Sequence, residues 1–147
     1  YRKIIGLASE YQKGDIDPEK LDELAVEFGR RVIAKYGRAD NVYCDSAEPI
    51  LIRGIKRAYA RESMPSRVTY AAKTSINGRI RLTVRLMNTE RYGWTEDAET
   101  LAKAHREALW DSKIKTEDVR LDDGTTDIDT LDAFEYSIEQ DANRLIT

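Results

Sequence analysis

The chain has 147 residues, 41% of them hydrophobic, with 24 basic and 27 acidic side chains and a net charge of -3. That length and apolar content suit one domain with a core that needs no staples, and the single cysteine excludes an internal disulfide and fits a reducing compartment. No apolar run approaches membrane-spanning length and no secretory signal stands at the start, so no membrane partner is expected.

In chain order, Arg2 to Tyr11 alternates loosely and reads as a strand that turns at Lys13-Gly14. The opening residues Tyr1-Arg2-Lys3-Ile4-Ile5 start without a methionine inside that strand, so the chain is expected to be a fragment of a longer one. Asp17-Pro18-Glu19 reads as a helix start, with a capping acid and proline at the first helical position. Leu21, Leu24, Ala25, Phe28, Val32, Ile33 and Tyr36 then recur at helical spacing up to Gly37, which predicts a helix packed by one face onto a sheet. A short buried strand over Asn41 to Cys44, a helix from about Ala47 to Ala60 and a strand over Arg67 to Ala71 complete a βαβ rhythm. That rhythm belongs to parallel sheets with right-handed crossovers.

Ser75 to Asn88 is predicted helical, with Ile76, Ile80, Val84 and Met87 on one face and Arg81 and Arg85 together on another. Tyr92-Gly93-Trp94 reads as a turn or short strand. Thr95 is placed to cap a helix whose first turn is acidic and whose stripe is Leu101, Ala104, Ala108 and Leu109. His105, the only histidine, lies on that stripe, where a packed histidine is expected rather than a ligand. An acidic loop over Leu121 to Thr126 leads into a last helix from about Thr126 to Leu145.

Charge is divided along the chain. From Arg53 to Arg91 ten Lys/Arg face two acids, a net +8, which leaves -11 of the total for the rest. A basic stretch of this kind is the footprint of a polyanion partner or simply a solvated face.

Two acidic motifs carry candidate chemistry. In Val42-Tyr43-Cys44-Asp45-Ser46-Ala47-Glu48-Pro49 an aspartate follows a strand and precedes a proline-started helix. Asp45 therefore stands either where open α/β sheets place their ligands or merely as a helix cap. In the second motif, Asp127 to Tyr136, acids and apolar residues interleave. Asp129, Asp132 and Tyr136 share a helical face by i, i+3, i+7 spacing, while Leu131, Phe134 and Ile138 face the core. Two carboxylates one turn apart repel unless a cation or solvent screens them. Asp127 can serve as cap, and the spacing of a calcium loop is absent. An all-oxygen set suits magnesium or manganese, and two such ions can drive phosphodiester hydrolysis; no Cys/His set for zinc exists. Lys73, between a strand and a helix, is the first choice for a phosphate contact, a surface lysine being the plain alternative.

D-S-A-E-P after a strand (Tyr43 to Pro49), K-T-S-I (Lys73 to Ile76) and D-x-x-D-A-x-x-Y (Asp129 to Tyr136) follow one another in an order that resembles the C-terminal nuclease domain of the large terminase subunit of tailed phages. The resemblance spans most of the chain; the first motif is fairly specific and the other two are weak alone. It implies an α/β ribonuclease H-like fold, a mixed sheet flanked by helices, without its first strand here. It implies a two-metal endonuclease that cuts concatemeric double-stranded DNA during packaging, with Mg2+ or Mn2+ held by Asp45, Asp129 and Asp132. DNA contacts are then expected from Lys73, Arg81 and Arg85. The implied partners are an N-terminal ATPase domain of the same polypeptide, the small terminase subunit and the portal protein, in the cytoplasm of an infected bacterium. The family's first catalytic aspartate has no match here. The alternatives are a resolvase or transposase of the same fold and a non-catalytic module that binds DNA or docks the packaging motor.

Overall fold

A computed structural model describes residues 2–45, 47–108 and 127–145. In chain order the elements are β1 (Ile4–Gly6), α1 (Pro18–Tyr36), β2 (Asn41–Cys44), α2 (Pro49–Arg61), β3 (Arg67–Tyr70), α3 (Ile76–Asn88), β4 (Tyr92–Trp94), α4 (Glu99–Glu107), α5 (Ile128–Ile138) and α6 (Ala142–Leu145). Single 3-10 turns precede α4 (Glu96–Ala98) and follow α5 (Glu139–Asp141). The protein is α/β, mostly helical. Its strands form two two-stranded parallel pairs, β1 with β4 and β2 with β3, and no antiparallel pair occurs among the described residues. The expected mixed sheet is therefore met only in its parallel part.

Contacts gather the chain into two compact units, Tyr1–Tyr11 with Thr74–Thr147, and Gln12–Lys73. The second unit is the βαβ segment with α1 added. Gly37, at φ 100°, ends α1 in the left-handed region that favours glycine, as its position after Tyr36 predicts. Asp17 precedes α1, but its side chain makes no capping bond; its backbone carbonyl accepts from Leu21 instead. The core of the unit is Val26, Ile52, Ala58, Tyr59 and Val68. Val26 of α1 shares its core with Val68 and Val42 of the strands, and α1 makes its closest packing on α2. Glycine is the cause. At Gly29 a Cβ would lie 2.6 Å from Tyr59 Oη and 2.8 Å from Met64 Cε, so the missing side chain is what lets the two helices close. Tyr59 then donates its hydroxyl to the Ala25 carbonyl at 3.1 Å.

In the first unit, β1 is shorter than the strand expected over Arg2 to Tyr11. Beyond Gly6 the backbone turns to other partners: Thr95 Oγ1 donates to the Leu7 carbonyl and Ser9 N–H to Asp97. Thr95 thus ties down the loop after β1 instead of capping the helix that follows. Ser9 Oγ does the capping-like work, accepting from Leu101 N–H at 3.0 Å. The core is Leu82, Leu86, Ala98, Leu101, Phe134, Ile138 and Leu145, with Leu86 and Leu145 fully enclosed. On α5, Leu131, Phe134 and Ile138 are buried as the pattern predicts. The expected face of α3 is only partly the observed one: Ile80 is buried as predicted, but Ile76 and Val84 are exposed, and the buried row takes in Arg79, Leu82, Thr83 and Leu86. Counting apolar residues misses this row because its first member is an arginine. The predicted last helix is interrupted after Ile138 by the 3-10 turn.

The C-terminal ends of α2 and α3 share one geometry. After α2, Ser63 N–H bonds to the Ala60 carbonyl and Met64 N–H to that of Tyr59; after α3, Glu90 and Arg91 do the same with Met87 and Leu86. These are Schellman ends, whose left-handed residue is usually glycine. Here it is Ser63 at φ 53° and Glu90 at φ 56°. Lys73, at φ 53°, is the other non-glycine residue in that region among those described, and it ends no helix.

Candidate functional site

In the second unit Asp45 leaves the carboxyl end of β2 directly after Cys44, and Lys73 lies three residues beyond the end of β3. The strands run parallel in register, Cys44 beside Tyr70, and the Ala71 N–H continues the ladder to the Cys44 carbonyl at 2.7 Å. Both side chains are thereby delivered to the same end of the pair. Lys73 Nζ stands 3.0 Å from Asp45 Oδ1, with each side chain partly open to solvent. Asp45 Oδ1 also accepts from the Ala47 N–H at 3.0 Å, which steadies the turn into α2. The residue at the N-cap of α2 is Glu48, so Asp45 is not that helix's cap. Ser46 lies outside the described residues. Beneath the site, burial pushes the Cys44 thiol above its ordinary value, which keeps it an inert neutral group. Burial does the same to the Tyr59 phenol, with Cys44 adding to it.

In the first unit, Asp127 accepts from Thr130 N–H at 2.9 Å and so caps α5. Asp129 is exposed in the first turn, and Asp132 follows one turn later, half-buried. Tyr136, expected to share their face, is buried. The organising residue here is Arg79, 8% exposed. Its Nε donates to Glu135 Oε1 at 3.0 Å, its Nη2 lies 3.6 Å from Asp132 Oδ1, and its Nη1 donates to the Thr74 carbonyl. Its guanidinium carbon rides 5.1 Å over the Tyr136 ring. Burial alone would lower the Arg79 pKa. The bond and charge of Glu135, with Tyr136 and Asp132, outweigh that and raise it, so Arg79 is a permanent buried cation. Glu139, also buried, accepts from Thr74 N–H at 3.0 Å. Arg79 and Glu139 therefore hold Thr74 by its carbonyl and its N–H.

Glu135 and Glu139 escaped the sequence reading, and Arg79, counted there with the basic residues between Arg53 and Arg91 that would meet a polyanion, is instead buried. The signal was present: Asp132, Glu135 and Glu139 recur at i, i+3, i+7, and a stripe of carboxylates on a partly buried helix demands a buried cation. Arg81 and Arg85 point out on the exposed side of α3 as predicted. His105 is half-buried, and its Nε2 lies 2.8 Å from the Tyr92 hydroxyl among Trp94 and Phe134, a packed histidine as expected.

The carboxylates expected to hold divalent cations are divided between the units, Asp45 in one, Asp129 and Asp132 in the other. Their donor chemistry fits a hard cation, and at Asp45 the Lys73 ammonium already stands where positive charge is wanted. Within each unit the described residues supply fewer ligands than a closed site needs, and no cluster of three or more His, Cys, Asp or Glu able to hold a metal occurs among them. No helix of the described residues is long and apolar enough to cross a membrane. Compared with known protein families, characterised proteins and solved structures, the chain matches none.

Proposed function

We propose that the chain is a ribonuclease H-like endonuclease domain of the terminase type, cutting concatemeric double-stranded DNA during genome packaging. One observation carries the reading: a carboxylate and an ammonium 3.0 Å apart at the carboxyl ends of adjacent parallel strands. That end of an α/β sheet is where ligands bind. In this reading Lys73 exchanges Asp45 for a backbone phosphate, which sets a phosphodiester beside the carboxylate. Arg81 and Arg85 add phosphate contacts that position DNA without reading its sequence. Asp45, Asp129 and Asp132 would hold two ions, Mg2+ or Mn2+, which when bound supply an activated water and stabilise the leaving oxygen. An ATPase domain of the same polypeptide, the small terminase subunit and the portal protein are the corresponding partners, in the cytoplasm of an infected bacterium.

The test is nicking of supercoiled plasmid with Mn2+ or Mg2+, by the chain and by the longer polypeptide to which the resemblance assigns it. Nicking is expected of the longer polypeptide, with its loss in Asp45→Ala and in Asp132→Ala; the chain alone, in which no residue matches the family's first catalytic aspartate, is expected to be weak or inactive. Undiminished nicking by both variants removes these residues from the mechanism. A second reading has an observation in its favour: Lys73 and Arg79 already neutralise Asp45 and Asp132, as in a non-catalytic DNA-binding or motor-docking module. Calorimetric titration with Mn2+ separates the two. Binding that Asp45→Ala abolishes favours the nuclease, and the absence of binding favours the module.

A further inference from the structure

Beside α3 the first unit holds a cavity of about 330 Å3, lined by Gly78, Arg81, Leu82, Arg85, Glu139 and Ala142 among others. This volume lies at the lower end of the roughly 300–1,000 Å3 of small-molecule sites. The cavity has three chemistries. Leu82 and Ala142 give it apolar wall, and Gly78 adds no side chain that would fill it. Arg81 and Arg85, one helical turn apart, place two guanidinium groups at its exposed side, and Arg81 has no hydrogen-bond or ion-pair partner among the described residues. Glu139 supplies the third. Its Oε1 is taken by the Thr74 N–H, while its Oε2 is buried and has no hydrogen-bond partner among the described residues. A buried carboxylate oxygen without a donor is costly, and Arg79, the nearby buried cation, is already engaged by Glu135, Asp132 and Thr74.

A ligand that answers all three features has a flat apolar body, an N–H donor on that body, and an anionic group a few ångströms away. We propose that this cavity binds a single nucleotide whose base carries an exocyclic amine. The amine donates to Glu139 Oε2, the base lies against Leu82 and Ala142, and the phosphate meets Arg81 and Arg85. Such a nucleotide is either free in solution or the unpaired end of a DNA strand. The site belongs wholly to the first unit and needs no metal; it shares Arg81 and Arg85 with the DNA contacts of the nuclease reading, and a preference for the amine that depends on Glu139 tells the two apart.

The experiment is calorimetric titration of the full chain in EDTA with dAMP and with the deoxynucleotide of unsubstituted purine, which differs only in lacking the amine. The expected result is that dAMP binds about tenfold more tightly, the worth of one hydrogen bond to a charged group. Glu139→Gln keeps an acceptor for Thr74 but replaces Oε2 with a donor, and should erase that preference. Because Glu139 also ties down Thr74, the exposed double variant Arg81→Ala/Arg85→Ala serves beside it; it should weaken both nucleotides alike by tenfold or more. Equal affinity for the two nucleotides, or binding untouched by the arginine variant, overturns the proposal, as does no binding of either. A DNA hairpin with one unpaired terminal dA identifies the source: tighter binding than dAMP assigns the strand end, weaker binding the free nucleotide.

Discussion

Arg79 shows how much one side chain can decide. Its charge is buried and matched by Glu135 and Asp132, so removing it strands two carboxylates rather than deleting one contact. Breaking a buried pair from one side costs about 3–5 kcal/mol, whereas replacing both partners by apolar groups is often close to neutral. Arg79→Met should therefore lower the urea midpoint strongly, and Arg79→Met combined with Glu135→Leu should recover much of the loss. A double variant no better than the single one would mean that Asp132 and the Thr74 carbonyl are the partners that matter.

Tyr92 makes a second residue-scale case, this time in pH. Burial raises its phenol well above the ordinary tyrosine value. The folded chain thus keeps a proton that the unfolded chain releases above about pH 10. The native state then binds more protons than the unfolded one, so stability is fully present below pH 10 and falls as pH rises beyond it. The fall should approach 1.4 kcal/mol per pH unit, by the free-energy value of one proton. Tyr92→Phe should flatten this alkaline loss, leaving the part due to Tyr59 and Cys44, whose shifts have the same sign. Denaturation at pH 9, 10 and 11 reads it directly.

At the scale of elements, the two glycines of the α1–α2 contact should behave differently on gaining a methyl group. At Gly29 the Cβ would meet the buried Tyr59 hydroxyl and Met64; at Gly54 it would meet only the end of the Asp22 side chain, at 3.0 Å. A helical Gly→Ala change gains about 0.5–1 kcal/mol where there is room, while overpacking costs about 1–3 kcal/mol. Gly54→Ala should thus be neutral or stabilising and Gly29→Ala destabilising, as thermal melts will show. Here lies the boundary of what sequence periodicity can tell. The helices and the parallel βαβ segment were legible because apolar spacing and helix-end glycine act locally. The packing of α1 on α2 was not, since it depends on what Gly29 lacks. Nor was the buried row of α3, since burial of Arg79 depends on acids more than fifty residues away. At the candidate site, strand ends predicted the places of Asp45 and Lys73. Their pairing required the register of β2 against β3, which no local pattern carries.

At the scale of the whole molecule the net charge is negative, yet the proposed DNA contacts all fall in the basic middle of the chain. If Lys73, Arg81 and Arg85 bind phosphates, their triple alanine variant should weaken binding of every DNA sequence alike. Each lost contact should reduce the salt slope by about one unit, because each releases condensed counterion. Identical slopes for the variant and the parent would leave these residues as a solvated face. Metal binding measured without DNA should not change with Arg81 or Arg85.

The left-handed backbone at Lys73 has a consequence for how the protein could be improved or spoiled. Ser63, Lys73 and Glu90 all hold a conformation that costs an ordinary residue about 1–2 kcal/mol and glycine almost nothing. At Ser63 and Glu90 the conformation only closes a helix, so glycine there should give a hardier protein with nothing lost. At Lys73 the same exchange would relax the chain but remove the ammonium that faces Asp45. A library selected for heat resistance alone should accept glycine at all three positions; one selected also for holding DNA should refuse it at position 73. Where those two selections part company, the tension in the backbone is being kept for use rather than tolerated.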